Sequence, residues 1–202
     1  MLNSIVFSSP WSTAATQSLI GTPPGVRFQR GFSLVEVAVV TAIVLLLAII
    51  GIPAIGNYLV ENKVPKVGEE LARFVLHTQV NASSSSAEPY SGITTASFAR
   101  MVKDSSLFSV SGQDAATVVA HGLGTDGLVT VQAEDLGAAF SMSLSNVSHV
   151  ACPSIASIMQ RVSTSMTVAG VTIKDSSTPY SAISTEAECE HGDVNDFVFV
   201  AG

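Results

Sequence analysis

The feature that most constrains the fold is an uncharged apolar run at residues 37–60, whose densest part reads VAVVTAIVLLLAIIGIPAIG. As a helix rising about 1.5 Å per residue, this run would span roughly 36 Å, which is enough to cross a hydrocarbon layer of about 30 Å. A helix buried in a soluble core is the alternative, but core helices rarely lack charge over such a length. The run therefore predicts a membrane-spanning helix.

The flanks of the run indicate that the helix stays on the mature protein. A secretory signal peptide has a small-residue cleavage site after its apolar segment, whereas residues 57–63 read NYLVENK. Arg27 and Arg30 precede the run, which places the N-terminus in the cytoplasm and the rest of the chain outside. Lys63 and Lys66 on the far side weaken this argument a little.

The composition excludes several classes of protein. Apolar residues make up 47% of the chain, which argues against a disordered protein. The formal net charge is −7, with nine Lys and Arg residues in all, and aromatic residues account for only 6%. Because phosphate binding needs basic residues and base stacking needs aromatic ones, a nucleic-acid-wrapping protein is not expected.

One acidic residue stands at the start of the apolar run. A carboxylate inside a bilayer costs about 2.5–3.5 kcal/mol on insertion scales, so such residues usually have a partner. Glu36 is therefore expected either to reach headgroup water at the interface or to pair with a positive charge.

Residues 30–37 read RGFSLVEV. This segment resembles the cleavage and methylation site of type IV prepilins, the precursors of pilus subunits. The resemblance implies that residues 1–31 are a leader, that a dedicated membrane peptidase cuts between Gly31 and Phe32, and that the same enzyme methylates Phe32. A long leader is typical of type IVb pilins, including thin-pilus pilins, whereas a first mature Phe is more typical of type IVa.

The resemblance also implies roles for two residues of the helix. Glu36 becomes the fifth mature residue, which in this family pairs with the N-terminal ammonium of a neighbouring subunit. Such a pair would supply the partner that the bilayer demands, because opposite charges attract strongly in a medium of low dielectric constant. Pro53 becomes the twenty-second mature residue, at a position where family members often carry a proline that kinks the helix.

Beyond the apolar run, the helix is expected to continue as an amphipathic segment over residues 61–86. Its apolar residues recur at spacings of 4, 3, 4 and 3, which predicts one stripe packed on the protein's own head. Four serines at residues 83–86 and the Glu88-Pro89 pair are expected to end the helix. The stripe consists of Val60, Val64, Val67, Leu71 and Phe74.

Residues 87–202 predict a globular α+β head. The expected architecture is the pilin fold: a long N-terminal helix, with residues 32–60 as its transmembrane or fibre-core part, packed against an antiparallel sheet. Thr95 is expected to cap a short helix, and a second helix is expected at residues 154–161. Strands are predicted at residues 118–119, 128–131, 140–144, 166–168, 171–173 and 197–200, with a two-residue turn at Ala169-Gly170.

The chain has two cysteines, Cys152 and Cys189. If the head lies outside the cytoplasm, where disulfides form, a bridge between them is expected; two buried free thiols are the alternative. The chain-entropy model gives such a bridge roughly 3–4 kcal/mol of stabilisation.

No catalytic or cofactor site is expected. The letters GLGTDG at residues 122–127 match a dinucleotide-binding fingerprint, but a strand-like run follows them where the fingerprint needs a helix, so they predict a flexible turn. The four histidines are scattered and are expected to be surface or packing residues. The acidic run at residues 186–193 is expected to be a solvated face, since its spacing fits no familiar calcium loop.

These observations predict a non-enzymatic structural subunit of a type IV pilus, made for adhesion, motility or conjugation. The expected partners are identical subunits, prepilin peptidase, an inner-membrane assembly platform, membrane lipid before assembly, and a host or recipient-cell surface. The head is expected in the periplasm before assembly and outside the cell in the fibre. The alternatives are a type II secretion pseudopilin, a minor tip pilin and a membrane-anchored enzyme of the envelope.

Overall fold

A computed structural model describes residues 33–82 and 86–202 of the protein, without the side chains of residues 53, 54 and 57. The leader and the expected processing site, Gly31 and Phe32, lie outside the described residues.

The long helix predicted from the apolar run is α1, Leu34–Asn81, which is 48 residues long. It continues through Pro53 and Pro65 without a break in its assignment, so the kink expected at Pro53 stays a prediction. The helix ends at Asn81, just before the serine run, and the Asn81 side-chain amide donates to the His77 carbonyl oxygen over 2.7 Å.

The first part of α1 has the length and composition of a membrane span. Leu34–Ile52 has a mean hydropathy of 2.8, and no residue of this segment is buried by the described part of the chain. Apolar side chains point outward all around the helix, which is typical of a segment that lies in an apolar medium rather than in water.

The rest of the described chain forms three short helices and seven strands. The helices are α2 (Thr95–Val102), α3 (Cys152–Met159) and α4 (Ala182–Ala187). Two single 3-10 turns lie at Asp114–Ala116 and Asp135–Gly137. The strands are β1 (Ser109–Ser111), β2 (Val118–Ala120), β3 (Leu128–Glu134), β4 (Ala139–Ser148), β5 (Ser165–Val168), β6 (Val171–Lys174) and β7 (Asp193–Ala201).

The seven strands form one antiparallel sheet in the order β1-β2-β3-β4-β7-β5-β6. Strand β7 lies between β4 and β5, so that Phe199 is opposite Met142 on one side and Met166 on the other. The predicted hairpin is confirmed: β5 and β6 join through Ala169 and Gly170, which have φ of 47° and 80°. Two positive φ values are what a two-residue turn between twisted strands requires.

The amphipathic part of α1 packs on the core as its spacing predicts. Val64, Val67, Leu71 and Phe74 are all buried, whereas Val60 at the upper end of the stripe is only partly buried. Phe74 lies edge-on to Phe98 of α2, with ring centroids 5.1 Å apart. The stripe therefore makes the second half of α1 an integral part of the head.

The expectation that Thr95 caps α2 is wrong by one residue. Thr94 is the N-cap, and its backbone N–H donates to the Ser97 hydroxyl oxygen over 3.3 Å, which is the reciprocal bond of a capping box. The Thr95 hydroxyl instead accepts a hydrogen bond from the Val131 N–H over 3.0 Å. This long-range bond ties α2 to β3, which is why local sequence did not reveal it.

Residues 122–127 form a turn between β2 and β3, as predicted, but the turn is tightly packed. Leu123 is fully buried, and its carbonyl oxygen accepts from the Ser148 N–H at 2.9 Å. A Cβ added at Gly124 would lie 2.0 Å from the Asn146 carbonyl oxygen. Glycine is needed at this position because the backbone of the turn lies directly against the backbone of β4.

One of the four histidines is part of this packing. His121 is fully buried, its Nδ1 accepts from the Leu123 N–H over 3.0 Å, and its Nε2 lies 2.9 Å from the Ser145 carbonyl oxygen. Since an N–H can only donate and a carbonyl can only accept, the ring must be neutral with its proton on Nε2. Burial lowers the pKa of His121, and the hydrogen bond to Ser145 opposes this shift in part.

We expect Gly124→Ala to lower the free energy of unfolding by about 1–3 kcal/mol, because the new methyl group would overlap a backbone carbonyl that cannot move freely. Gly92→Ala is the matched control: a Cβ there meets nothing within 4 Å, so its effect should stay within about 0.5 kcal/mol. Urea unfolding of the full chain in mild detergent, followed by near-UV circular dichroism, measures both. Equal stability of the two variants would contradict the packed turn.

We expect the head to lose stability as the pH falls below about 6.5, the ordinary value for histidine. The unfolded state binds a proton at His121 more readily than the folded state does, so acidification favours unfolding, by at most about 1.4 kcal/mol per pH unit. Urea unfolding between pH 7 and 5 should show this slope in the wild type and in His77→Gln, whose histidine is exposed. His121→Gln should be less stable at pH 7 and should lose most of the slope; an unchanged slope in that variant would refute the assignment.

Candidate functional site

The functional candidate at the membrane end of α1 is Glu36, which lies in the first helical turn. The turn begins with a hydrogen bond from the Val37 N–H to the Ser33 carbonyl oxygen at 3.1 Å. A carboxylate in the first turn of a helix interacts favourably with the exposed N–H groups there. Glu36 is exposed, and so are its neighbours Leu34 and Val35, so its carboxylate is accessible to another molecule.

The resemblance to prepilins implies a positively charged partner for Glu36, and the described residues contain none that reaches it. The one ion pair among residues 33–82 and 86–202 joins Arg73 to Glu70, within the amphipathic part of α1. The expected partner, the ammonium group of a processed Phe32 on another subunit, lies outside the described residues. The role of Glu36 in assembly therefore stays a prediction.

The surface that surrounds Glu36 on α1 is apolar. The large apolar side chains that follow on the same stretch are all more than half exposed, and the residues between them are alanines, Thr41 and Gly51. This arrangement can do one thing chemically: it can bury apolar area, either in lipid or against other apolar helices. The exposed side chains include Val37, Val39, Val40, Ile43, Val44, Leu45, Leu46, Leu47, Ile49, Ile50 and Ile52.

The disulfide expected between Cys152 and Cys189 is confirmed. The two Cα atoms are 6.0 Å apart, within the usual range for a bridge, and the described residues include no free cysteine. Cys152 is the first residue of α3, and Cys189 follows α4. The bond therefore closes a loop that carries α3, the β5–β6 hairpin and α4.

Sequence reasoning missed a residue that supports this loop. Asn195 is fully buried in β7, where its side-chain amide donates to the carbonyl oxygens of Val147 (3.0 Å) and Glu190 (2.9 Å). Its side-chain oxygen accepts from the Glu190 N–H over 2.7 Å. The available signal was its place in the alternation of β7, where the other inward positions, Phe197, Phe199 and Ala201, are apolar.

The acidic run near Cys189 is less solvated than expected at its end. The Asp193 carboxylate accepts from both the N–H and the hydroxyl of Thr125, at 2.7 and 2.8 Å, and so fixes the glycine-containing turn to the start of β7. Within the described ranges, no three His, Cys, Asp or Glu side chains come together in a way that could hold a metal ion. Asp193 is therefore a structural residue of the head.

Comparisons with known proteins give a family match at each end of the chain. Residues 79–202 match the family model described as PilS N terminal, and residues 26–52 match the model described as the prokaryotic N-terminal methylation motif. No curated protein matches the chain. Among solved structures, the protein is similar to the crystal structure of a type IVb pilin from Salmonella typhi, at 18% identity over 66% of this chain and 94% of that one, with a TM-score of 0.48.

The first of these matches covers more than half of the chain, and the second covers the segment on which the resemblance to prepilins was based. The methylation motif implies processing by prepilin peptidase and polymerisation of the processed subunit. The chain belongs to the PilS N-terminal family and is a type IV prepilin, a structural subunit rather than an enzyme.

Proposed function

We propose that this prepilin is cleaved between Gly31 and Phe32, methylated on Phe32, and polymerised through α1 as the main subunit of a type IVb surface fibre. The observation that carries the proposal is the contrast along α1. Leu34–Ile52 has no buried residue, whereas Val64, Val67, Leu71 and Phe74 further along the same helix are buried by the head. Lipid buries the exposed apolar side chains of this segment before assembly, and neighbouring helices bury them in the fibre.

Glu36 favours the transfer of α1 from lipid into the fibre. In lipid its carboxylate costs about 2.5–3.5 kcal/mol. An ammonium group at about 4 Å, with an effective dielectric constant of about 20, would return roughly 4 kcal/mol. The N-terminal ammonium of Phe32 exists only after cleavage, so an unprocessed neighbour cannot supply it. Cleavage would thus make each subunit competent to pair with the next.

The disulfide supports a head that lies in the periplasm before assembly. Such bonds persist in oxidising compartments and are rare in the cytoplasm. Arg27 and Arg30 in front of the apolar run favour the same topology, with the N-terminus inside. The proposed partners are identical subunits, prepilin peptidase, an inner-membrane assembly platform and lipid, with a host or recipient-cell surface as the target of the finished fibre.

A type II secretion pseudopilin and a minor tip pilin are the alternative functions. A pseudopilin would form a short periplasmic structure, and a tip pilin would be scarce in sheared fibres. The abundance of this chain in fibres sheared from cells therefore separates all three functions.

We expect Glu36→Ala to leave cleavage largely intact and to reduce the yield of sheared fibres at least about tenfold, because the subunit loses its charge partner. Glu61→Ala is the matched control, since Glu61 is an exposed glutamate of the same helix that lies beyond the apolar run. Fibre yield and the processed membrane pool are measured together by quantitative immunoblot.

Normal fibres from Glu36→Ala would contradict the charge pairing. Fibre loss in both variants would show that α1 tolerates no change of charge, and would likewise contradict a specific role for Glu36.

A further inference from the structure

An exposed leucine on the head is held in an unfavourable backbone conformation. Leu136, in the 3-10 turn between β3 and β4, is 91% exposed and has φ of 57°, and Asp135 before it has φ of 47°. A bulky residue at positive φ is a conformational outlier, which persists only where the surrounding structure imposes it. With Glu134 and Asp135, Leu136 forms a projection that we term the acidic knob.

The structure beneath the acidic knob fixes it in place. Gly137 has φ of 92°, and a Cβ there would lie 2.9 Å from the Ser91 backbone, so only glycine fits. Its carbonyl oxygen accepts from the Tyr90 N–H at 2.9 Å, and the Ala138 N–H closes the turn onto the Asp135 carbonyl oxygen at 3.1 Å. The leucine is therefore presented rigidly, yet its side chain contributes almost nothing to the core of its own chain.

The charge of the acidic knob is fixed as well. The Glu134 carboxylate accepts from the Ser141 hydroxyl at 2.6 Å and from the Gln132 side-chain amide at 2.9 Å. These two hydrogen bonds lower the pKa of Glu134 and keep it ionised. A partner for this surface needs an apolar recess for a leucine and a positive charge beside it.

The same chain carries such a recess on another part of its surface. A groove of about 740 Å³ lies between α1 and α3, and we term it the α1–α3 groove. Leu76 and Val80 on α1 line it and are exposed. Arg161 at its edge has no acidic partner among the described residues, whereas Arg73 is paired with Glu70. The apolar side chains that line the groove are Ala72, Leu76, Val80, Ile158 and Val162, and the polar ones are Glu69, Arg73, His77, Asn81 and Arg161.

We propose that, in the fibre, Leu136 of one subunit inserts into the α1–α3 groove of the next, with Asp135 beside Arg161. The occupant is a second copy of this chain because the same chain carries both surfaces. The acidic knob presents Leu136 beside Asp135, and the α1–α3 groove has an unpaired Arg161 at its edge. The two surfaces are different patches, so the contact is head-to-tail and can repeat without closing, as a helical fibre requires. This inference rests on the proposed function and adds the contact between heads.

Ile183 on α4 is a second exposed apolar residue, with 84% of its surface exposed, and serves as the control. It lies within a helix, so no strained backbone holds it outward. If exposure alone determined the contact, Ile183 would serve as well as Leu136.

Cysteine cross-linking in intact fibres tests the contact directly, because the two native cysteines are already joined to each other. The full chain carrying Leu136→Cys and Leu76→Cys should give a ladder of dimers, trimers and longer species on non-reducing gels of sheared fibres. The matched pair, Ile183→Cys with Leu76→Cys, should stay monomeric. Quantitative immunoblot after reduction confirms equal amounts of both variants.

A charge exchange tests the same contact without cysteines. Arg161→Glu should lower the fibre yield at least about tenfold, and adding Asp135→Arg should restore most of it, whereas adding Glu186→Arg, on α4, should not. Fibres that give no ladder from the Leu136 pair, or a ladder from the Ile183 pair, would overturn this contact alone. Failure of Asp135→Arg to rescue would do the same. An unmodified chain that yields no sheared fibres would overturn the proposed function itself.

Discussion

The helix α1 has to bury apolar side chains in two different environments. One half packs on the head, and the other half exposes its apolar surface to whatever surrounds it. Along its second half, a single apolar stripe is covered by the head. Between residues 34 and 59, sixteen large apolar side chains are each more than half exposed. At about 1.5–3 kcal/mol for each such side chain, their burial amounts to tens of kcal/mol. No contact within the described part of the chain supplies that burial, which fits a helix that lies in the membrane first and in a surface pilus afterwards.

The head is held together by contacts of its own, which do not involve the apolar end of α1. β7 pairs with both β4 and β5. Because β5 and β6 lie within the loop closed by the disulfide, the sheet has all seven strands only when that loop is folded against β7. Two residues of β7 hold neighbouring segments in place. Asn195 bonds to Glu190, next to the disulfide, and to Val147 of β4. Asp193 accepts a hydrogen bond from Thr125 in the glycine-containing turn. These contacts are all within the head. The head therefore does not rely on the apolar end of α1 for its stability.

The parts of the fold that the sequence predicted are those encoded by local patterns. The spacing from Val64 to Phe74 marks one face of a helix, and the small turn residues between Val168 and Val171 mark a hairpin. The parts that were missed depend on contacts between distant residues. Thr95 bonds to β3, His121 is buried by the turn that follows it, and Leu136 takes a left-handed backbone that its residue type would not suggest. Of the candidate site, Gly31, Phe32 and Glu36 could be predicted from a short linear motif, and their roles stay predictions. The α1–α3 groove could not be predicted in this way, because it exists only once two helices pack.

We propose that processing and polymerisation produce a fibre in which the α1 helices of neighbouring subunits pack against each other. N-terminal sequencing and intact-mass measurement of fibres sheared from cells test this most directly. We expect a chain that starts at methylated Phe32, with a mass lower by two hydrogens for the bond between Cys152 and Cys189. A chain that still starts at Met1, or the absence of sheared material, would contradict it.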